Sequence, residues 1–150
     1  MHVSAKPSEL ESVASVVALW CVRHSVPFKV LRTRGLVHAS QVKYADRSQS
    51  GKVCTCYPDG ESLEHFCSGL AELLQNVDSP PVSGELRVGS SPLWLRHGSF
   101  REAWAVSSTG VPFPVYPGTT HPDRRGPAPA ESDHDTPWIR RLRRTCLLYT

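Results

Sequence analysis

The side chains best able to do chemistry gather between residues 54 and 67. Cys54-x-Cys56 and His65-x-Cys67 bring three thiols and an imidazole, the ligand types of a Cys3His zinc site. Their spacing argues against one. Alternation along a strand puts Cys54 and Cys56 on one face, but two steps along a helix turn His65 and Cys67 about 200° apart. A zinc-stabilised module therefore stands behind a simpler reading, in which the thiols are small buried apolar groups. No metal and no cofactor is expected. A thiolate nucleophile has no nameable base beside it, so no catalytic residue is assigned and the chain reads as non-enzymatic.

A histidine stands in a second setting, the run Pro27–Tyr44. Phe28 is followed there by Gly35, then by His38, then by the apolar Val42 and Tyr44. The pattern predicts a strand over Phe28–Thr33, a loop pivoting on Gly35 that presents His38, and a strand over Leu36–Tyr44. Taken singly, Gly35 is a turn glycine and His38 a strand histidine; their joint spacing is what suggests a ligand. A third group is basic. Arg140, Arg141, Arg143 and Arg144 sit beside Ile139, Leu142 and Leu147, fit for nucleic acid, an acidic protein or an anionic surface, or simply solvated. Finally, Leu93-Trp94-Leu95-Arg96-His97-Gly98 resembles the strand-end Arg-His-Gly of histidine phosphatases. Those enzymes need a large α/β domain after the motif, so a turn is the better account.

These groups need elements to hold them. Ser8-Glu9-Leu10-Glu11 has capping-box spacing, and Leu10, Val13, Val17, Trp20, Cys21 and His24 then fall on one helical face that should end before Pro27. Residues 47–51 make a polar hairpin connection. Lys52–Tyr57 follows as a third strand, with Lys52, Cys54 and Cys56 on one side. Asp59 is a plausible N-cap for a second helix carrying Leu63, Phe66, Cys67, Leu70, Leu73 and Leu74. Leu10, Val17, Trp20, Leu63, Phe66, Leu70 and Leu73 should lie buried between helices and sheet. Residues 77–106 read as a linker with short strand-like segments. Residues 107–150 read as a Pro/Arg-rich disordered tail, since seven prolines fall between Pro112 and Pro137. Within it, Thr136-Pro137 could start a short helix.

Composition sets outer bounds. The chain has 150 residues, 39% hydrophobic content, 13 prolines and a formal charge of +3, which permits nucleic acid as a partner without demanding it. The apolar stretch Val13–Val22 is too short for a membrane span, and Glu9 and Glu11 do not suit a signal peptide. Five cysteines without framework spacing fit a reducing compartment, so a cytoplasmic or nuclear location is expected.

With its flanks, the run through Phe28, Gly35 and His38 gives an α-β-β-β-α order over residues 8–76 and resembles a double-stranded RNA-binding domain. The resemblance implies an α+β fold, with a three-stranded antiparallel sheet, both helices on one face, and a disordered tail. It also implies RNA contacts from the first helix (Ser8, Glu11, Ser12) and from the loop (Gly35, His38). Two features depart from the family. Leu36 replaces the usual proline, and the second helix starts with Gly60-Glu61-Ser62-Leu63-Glu64-His65, where the family carries phosphate-gripping lysines. The reading is therefore a degenerate, RNA-associated module acting mainly through protein–protein contacts or self-association, with weak duplex-RNA binding aided by Arg140, Arg141, Arg143 and Arg144. Other readings are a small interaction domain unrelated to RNA, or a truncated isoform whose tail has no function.

Overall fold

The structure is a computed structural model that describes residues 1–42, 51–82, 84–96, 103–115 and 136–147. Its sheet has five strands: β1 (His2–Ser4), β2 (Phe28–Val30), β3 (Lys52–Cys56), β4 (Leu86–Arg87) and β5 (Leu93–Leu95). Their order is β2-β3-β1-β5-β4, every neighbouring pair is antiparallel, and β1 lies in the middle. The α+β class expected from the sequence holds; the three-stranded layout does not. Strand β1 is three residues long, too short for alternation to announce it, and it precedes the residues assigned to the domain. Strands β4 and β5 lie among the short strand-like segments expected in residues 77–106 but pair into the same sheet.

Four helices accompany the sheet: α1 (Leu10–Arg23), α2 (Arg34–Gln41), α3 (Leu63–Leu73) and α4 (Pro137–Leu147). The second of these replaces the expected loop and strand between Gly35 and Gln41. Thr33 is the reason. Its Oγ1 accepts the Leu36 amide at 3.2 Å, an N-cap that starts a helix in a stretch whose valines suggest a strand. The rest of the expected strand, with the hairpin connection at 47–50, falls in residues 43–50 and lies outside the described residues.

At the other end, strands β6 (Ala103–Val106) and β7 (Pro112–Val115) pair as a separate antiparallel hairpin. Both β7 and α4 fall in the stretch expected to be disordered. Thr136 does start α4, its Oγ1 accepting the Ile139 amide at 3.3 Å. Residues 116–135 and 148–150 lie outside the described residues. No helix among the described residues is long and apolar enough to cross a membrane.

Alternation divides the sheet into two sides. Val30, Cys54, Val3 and Leu93 form one cross-strand row, and this side carries the core. Onto it α1 brings Leu10, Val13, Val17 and Cys21, and α3 brings Phe66, Cys67 and Leu70. Trp138 of α4 completes the cluster. Of the residues expected to be buried, Trp20 and Leu63 are only half so, and Leu73 is 56% exposed. Leu74, one position on, takes the inward place.

Trp20 fixes how α1 meets α3. Its Nε1 donates to the Phe66 carbonyl at 3.2 Å, and its ring lies over Gly69 so closely that a Cβ there would come 2.5 Å from Cζ2. Gly69→Ala gains about 1 kcal/mol of helix propensity but must displace a large, hydrogen-bonded ring, an overpacking that costs about 1–3 kcal/mol. The clash wins. A urea titration should show a lower midpoint for Gly69→Ala; a raised midpoint would mean that the ring moves aside freely.

Candidate functional site

The side of the sheet away from the core is defined by the same alternation. Lys29, Thr55, His2, Trp94 and Arg87 are successive cross-strand partners, one row running across all five strands with His2 at its centre. A register shift between Val3 and Ser4 sets Lys52, rather than Val53, opposite Ser4. In regular alternation Lys52 would follow Cys54 into the core. The bulge turns it instead to the side of His2.

The segment leading to β4 brings the third member. Ser4 Oγ donates to the Pro80 carbonyl at 2.6 Å, and Lys6 pairs with Asp78. Gly51, at φ +77°, lies so close under Pro81 that a Cβ would stand 3.1 Å from its carbonyl oxygen. Held there, Glu85 places Oε2 2.6 Å from His2 Nδ1 and Oε1 2.7 Å from Lys52 Nζ. Its side chain is 1% exposed, that of Lys52 9% and that of His2 15%.

The electrostatics of this trio follow from burial and pairing. Burial lowers the pKa of His2, against the opposing pull of the Glu85 hydrogen bond, so the ring is neutral near pH 7. Burial alone would raise the pKa of Glu85, but the His2 hydrogen bond and the Lys52 ammonium together hold it below the usual carboxylate range. A neutral ring beside a carboxylate donates from Nδ1, which leaves the lone pair on Nε2. The arrangement is an imidazole with its tautomer set by a buried carboxylate, and it can accept and return a proton. Next to His2 in the row, the buried Trp94 Nε1 has no acceptor among the described residues. The Arg87 guanidinium lies 5.4 Å from the Trp94 ring and donates to the Ser90 and Ser91 carbonyls.

The thiols do not form a comparable centre. Burial pushes Cys54 and Cys67 up to about 12, so both are protonated near neutrality. Cys21 and Cys56 meet sulfur to sulfur at 3.6 Å, and that contact with burial raises Cys56 as well. Cys67 faces the Met1 sulfur at 3.3 Å, while His65 is exposed on α3. Among the described residues no three of His, Cys, Asp and Glu converge as metal ligands.

The residues singled out for RNA contact are dispersed. Gly35 and His38 lie exposed on α2, not in a loop. Ser8 lies in the 3-10 turn Pro7–Glu9 that precedes α1 in place of a capping box. Ser12 donates to the Glu9 carbonyl, and Glu11 pairs with Arg34 at the start of α2. Arg140, Arg141, Arg143 and Arg144 belong to α4, where Arg141 pairs with Glu64 of α3 at 3.2 Å. The acidic start of the second helix thus has a basic partner within the chain. His97 and Gly98 lie outside the described residues.

His2, Lys52 and Glu85 were not legible as a site. One signal existed: alternation sets Lys52 on the side of Cys54 and Cys56, and a lysine on a buried face needs a bulge or a carboxylate.

Similarity to known proteins bears on both readings. Residues 1–133 match the family described as "RamC, N-terminal domain". Over 131 residues the chain is 37% identical to a protein of Streptomyces coelicolor (strain ATCC BAA-471 / A3(2) / M145) named "Probable SapB synthase". The similarity covers 85% of this chain but 14% of that protein, so the chain spans a small fraction of its curated relative. The double-stranded RNA-binding resemblance is overturned, and the RNA-associated function falls with it. Its physical basis fails too, because the Gly35–His38 motif is helical. The expected nuclear location finds no support in a relative from Streptomyces coelicolor.

Proposed function

Since the chain belongs to the RamC N-terminal domain family, we propose that it is one domain of a synthase and supplies that enzyme with an acid–base centre. The reading rests on one observation: Glu85 bridges His2 Nδ1 and Lys52 Nζ on the side of the sheet that the core does not use. In it, His2 Nε2 takes and returns the proton, Glu85 holds the tautomer, and Lys52 offers positive charge to an anionic group of the substrate. The unmet Trp94 Nε1 is a further donor for a ligand. A cytoplasmic setting belongs to the same proposal, since Cys21, Cys54, Cys56 and Cys67 are all free thiols.

A purely structural role for the trio is the competing reading, favoured by the near-complete burial of Glu85. The two separate in a chimera whose matching region of the Streptomyces coelicolor relative is replaced by this chain. The chimera should retain synthase turnover, and His2→Gln within it should lower turnover by about 10²-fold or more, the scale of a lost general base, with the melting temperature little changed. An inactive parent chimera, or a His2→Gln variant within threefold of it, would sink the proposal.

A further inference from the structure

The hairpin of β6 and β7 has two unlike edges. Ser107 donates its amide to the Val111 carbonyl at 2.9 Å, so the backbone groups of Ser107 point inward between the strands. Alternation then turns Ala105 inward and turns Trp104 and Val106 outward, away from β7. On β7 the outward positions are Pro112 and Pro114, partners of Val106 and Trp104. Proline has no amide hydrogen, so the outer edge of β7 offers no donors there. The outer edge of β6 offers the full amide and carbonyl sets of Trp104 and Val106, and β7 is its one neighbour among the described residues.

The same strand also shows apolar side chains to water. Trp104 is 60% exposed and Val106 68%, with Val111 beside them at 59%. None of Ala103, Trp104, Ala105 and Val106 carries a charge of the kind that guards free edges. A two-stranded ribbon of this sort is marginal in water without a third strand.

We infer that the free edge of β6 binds a second copy of this chain, the two β6 strands pairing antiparallel about Ala105. The edge is self-complementary. With Ala105 on the two-fold axis, Trp104 meets the partner's Val106 and the partner's Trp104 meets Val106. All four residues are outward-facing, so each pair exchanges two backbone hydrogen bonds. Each indole then lies across from a valine on the same exposed side, a favourable aromatic and β-branched cross-strand pair. The product is a four-stranded ribbon, β7-β6-β6-β7, whose outer edges are both blocked by proline. Such an assembly closes at two copies and does not grow. This inference is independent of the acid–base centre.

Sedimentation velocity on the whole chain tests it. The chain should sediment as a concentration-dependent dimer of its 16.6 kDa protomer. Val106→Pro deletes an outward amide without touching the hairpin's own bonds, and Trp104→Lys puts a charge on the edge. Each should raise the dimer dissociation constant at least tenfold with the helical part of the circular dichroism spectrum unchanged. A wild-type chain that stays monomeric at every concentration would overturn the inference, showing the edge covered from within the chain or by another partner. A dimer that survives both substitutions would overturn it equally, placing the interface elsewhere.

Discussion

Glu85→Gln should unfold at a markedly lower temperature than the wild-type chain, with a loss of about 3 kcal/mol or more. The amide fills the same space but leaves the Lys52 ammonium in a site where its side chain is only 9% exposed, without the carboxylate 2.7 Å away that justifies its charge. Breaking a buried pair by removing one partner costs about 3–5 kcal/mol, a large part of the 5–15 kcal/mol that holds a typical domain together.

The pH dependence carries a second signature with a fixed sign. His2 has its pKa lowered in the folded state, so below its ordinary value of 6.5 the unfolded chain binds the proton more readily and stability falls. Glu85 is also lowered, so its contribution is complete above its ordinary value of 4.5 and is lost as pH falls through the folded value. Wild-type stability should therefore decline from pH 6.5 downward and more steeply below 4.5. The lower part should be shallower in Glu85→Gln, with Asp59 and Asp78, whose pKa values are also lowered, supplying what remains. Thermal melts across this range check both points. Equal slopes for the two proteins below 4.5 would mean that Glu85 is not ionised in the fold.

Phe66→Ala should have an effect of the same size for a different reason. The ring is 1% exposed, with the Trp20 ring centre 6.2 Å away and that of His24 at 5.8 Å. Removing a buried phenyl ring costs about 3–5 kcal/mol, because the lost transfer energy is joined by an incompletely collapsed cavity. The Trp20 bond to the Phe66 carbonyl is to backbone and survives the substitution, which limits that collapse by holding the indole in place. Denaturant unfolding should show a strongly lowered midpoint at constant slope. A loss below about 1 kcal/mol would indicate that α1 and α3 close over the gap.

The two helices that meet at Phe66 were readable in the sequence because each sets apolar residues at helical spacing, over three turns in α1 and a little more than one in α3. Leu10, Val13, Val17 and Cys21 in one, and Phe66, Cys67 and Leu70 in the other, are the buried residues of their helices. Strand β3 was readable through its run of β-branched residues and cysteines. Strand β1 was not, since its three residues cannot display a period. Strands β4 and β5 fall among the short strand-like segments expected in residues 77–106, and α2 was masked by Val37 and by the Val42 that follows it. The candidate site was hidden more deeply. His2, Lys52 and Glu85 belong to three separated segments, and only a bulged register and the path of residues 78–85 bring them together. A thiol-and-histidine cluster looked more chemical in the sequence, yet the fold buries its cysteines and leaves His65 outside.

Placing β1 at the centre of the sheet has a consequence for how the chain acquires its structure. Its neighbours lie about 50 positions away in β3 and about 90 away in β5, so the middle of the sheet is made entirely from distant pairings. On a ribosome adding roughly 5–20 residues per second, β1 has no β5 to pair with for several seconds after it is made. Helix α1 can coil in that interval, but it has no complete sheet to cover. Assembly of this fold is therefore a late, collective event, and until then an unsatisfied central strand is open to chaperones and to misplaced partners.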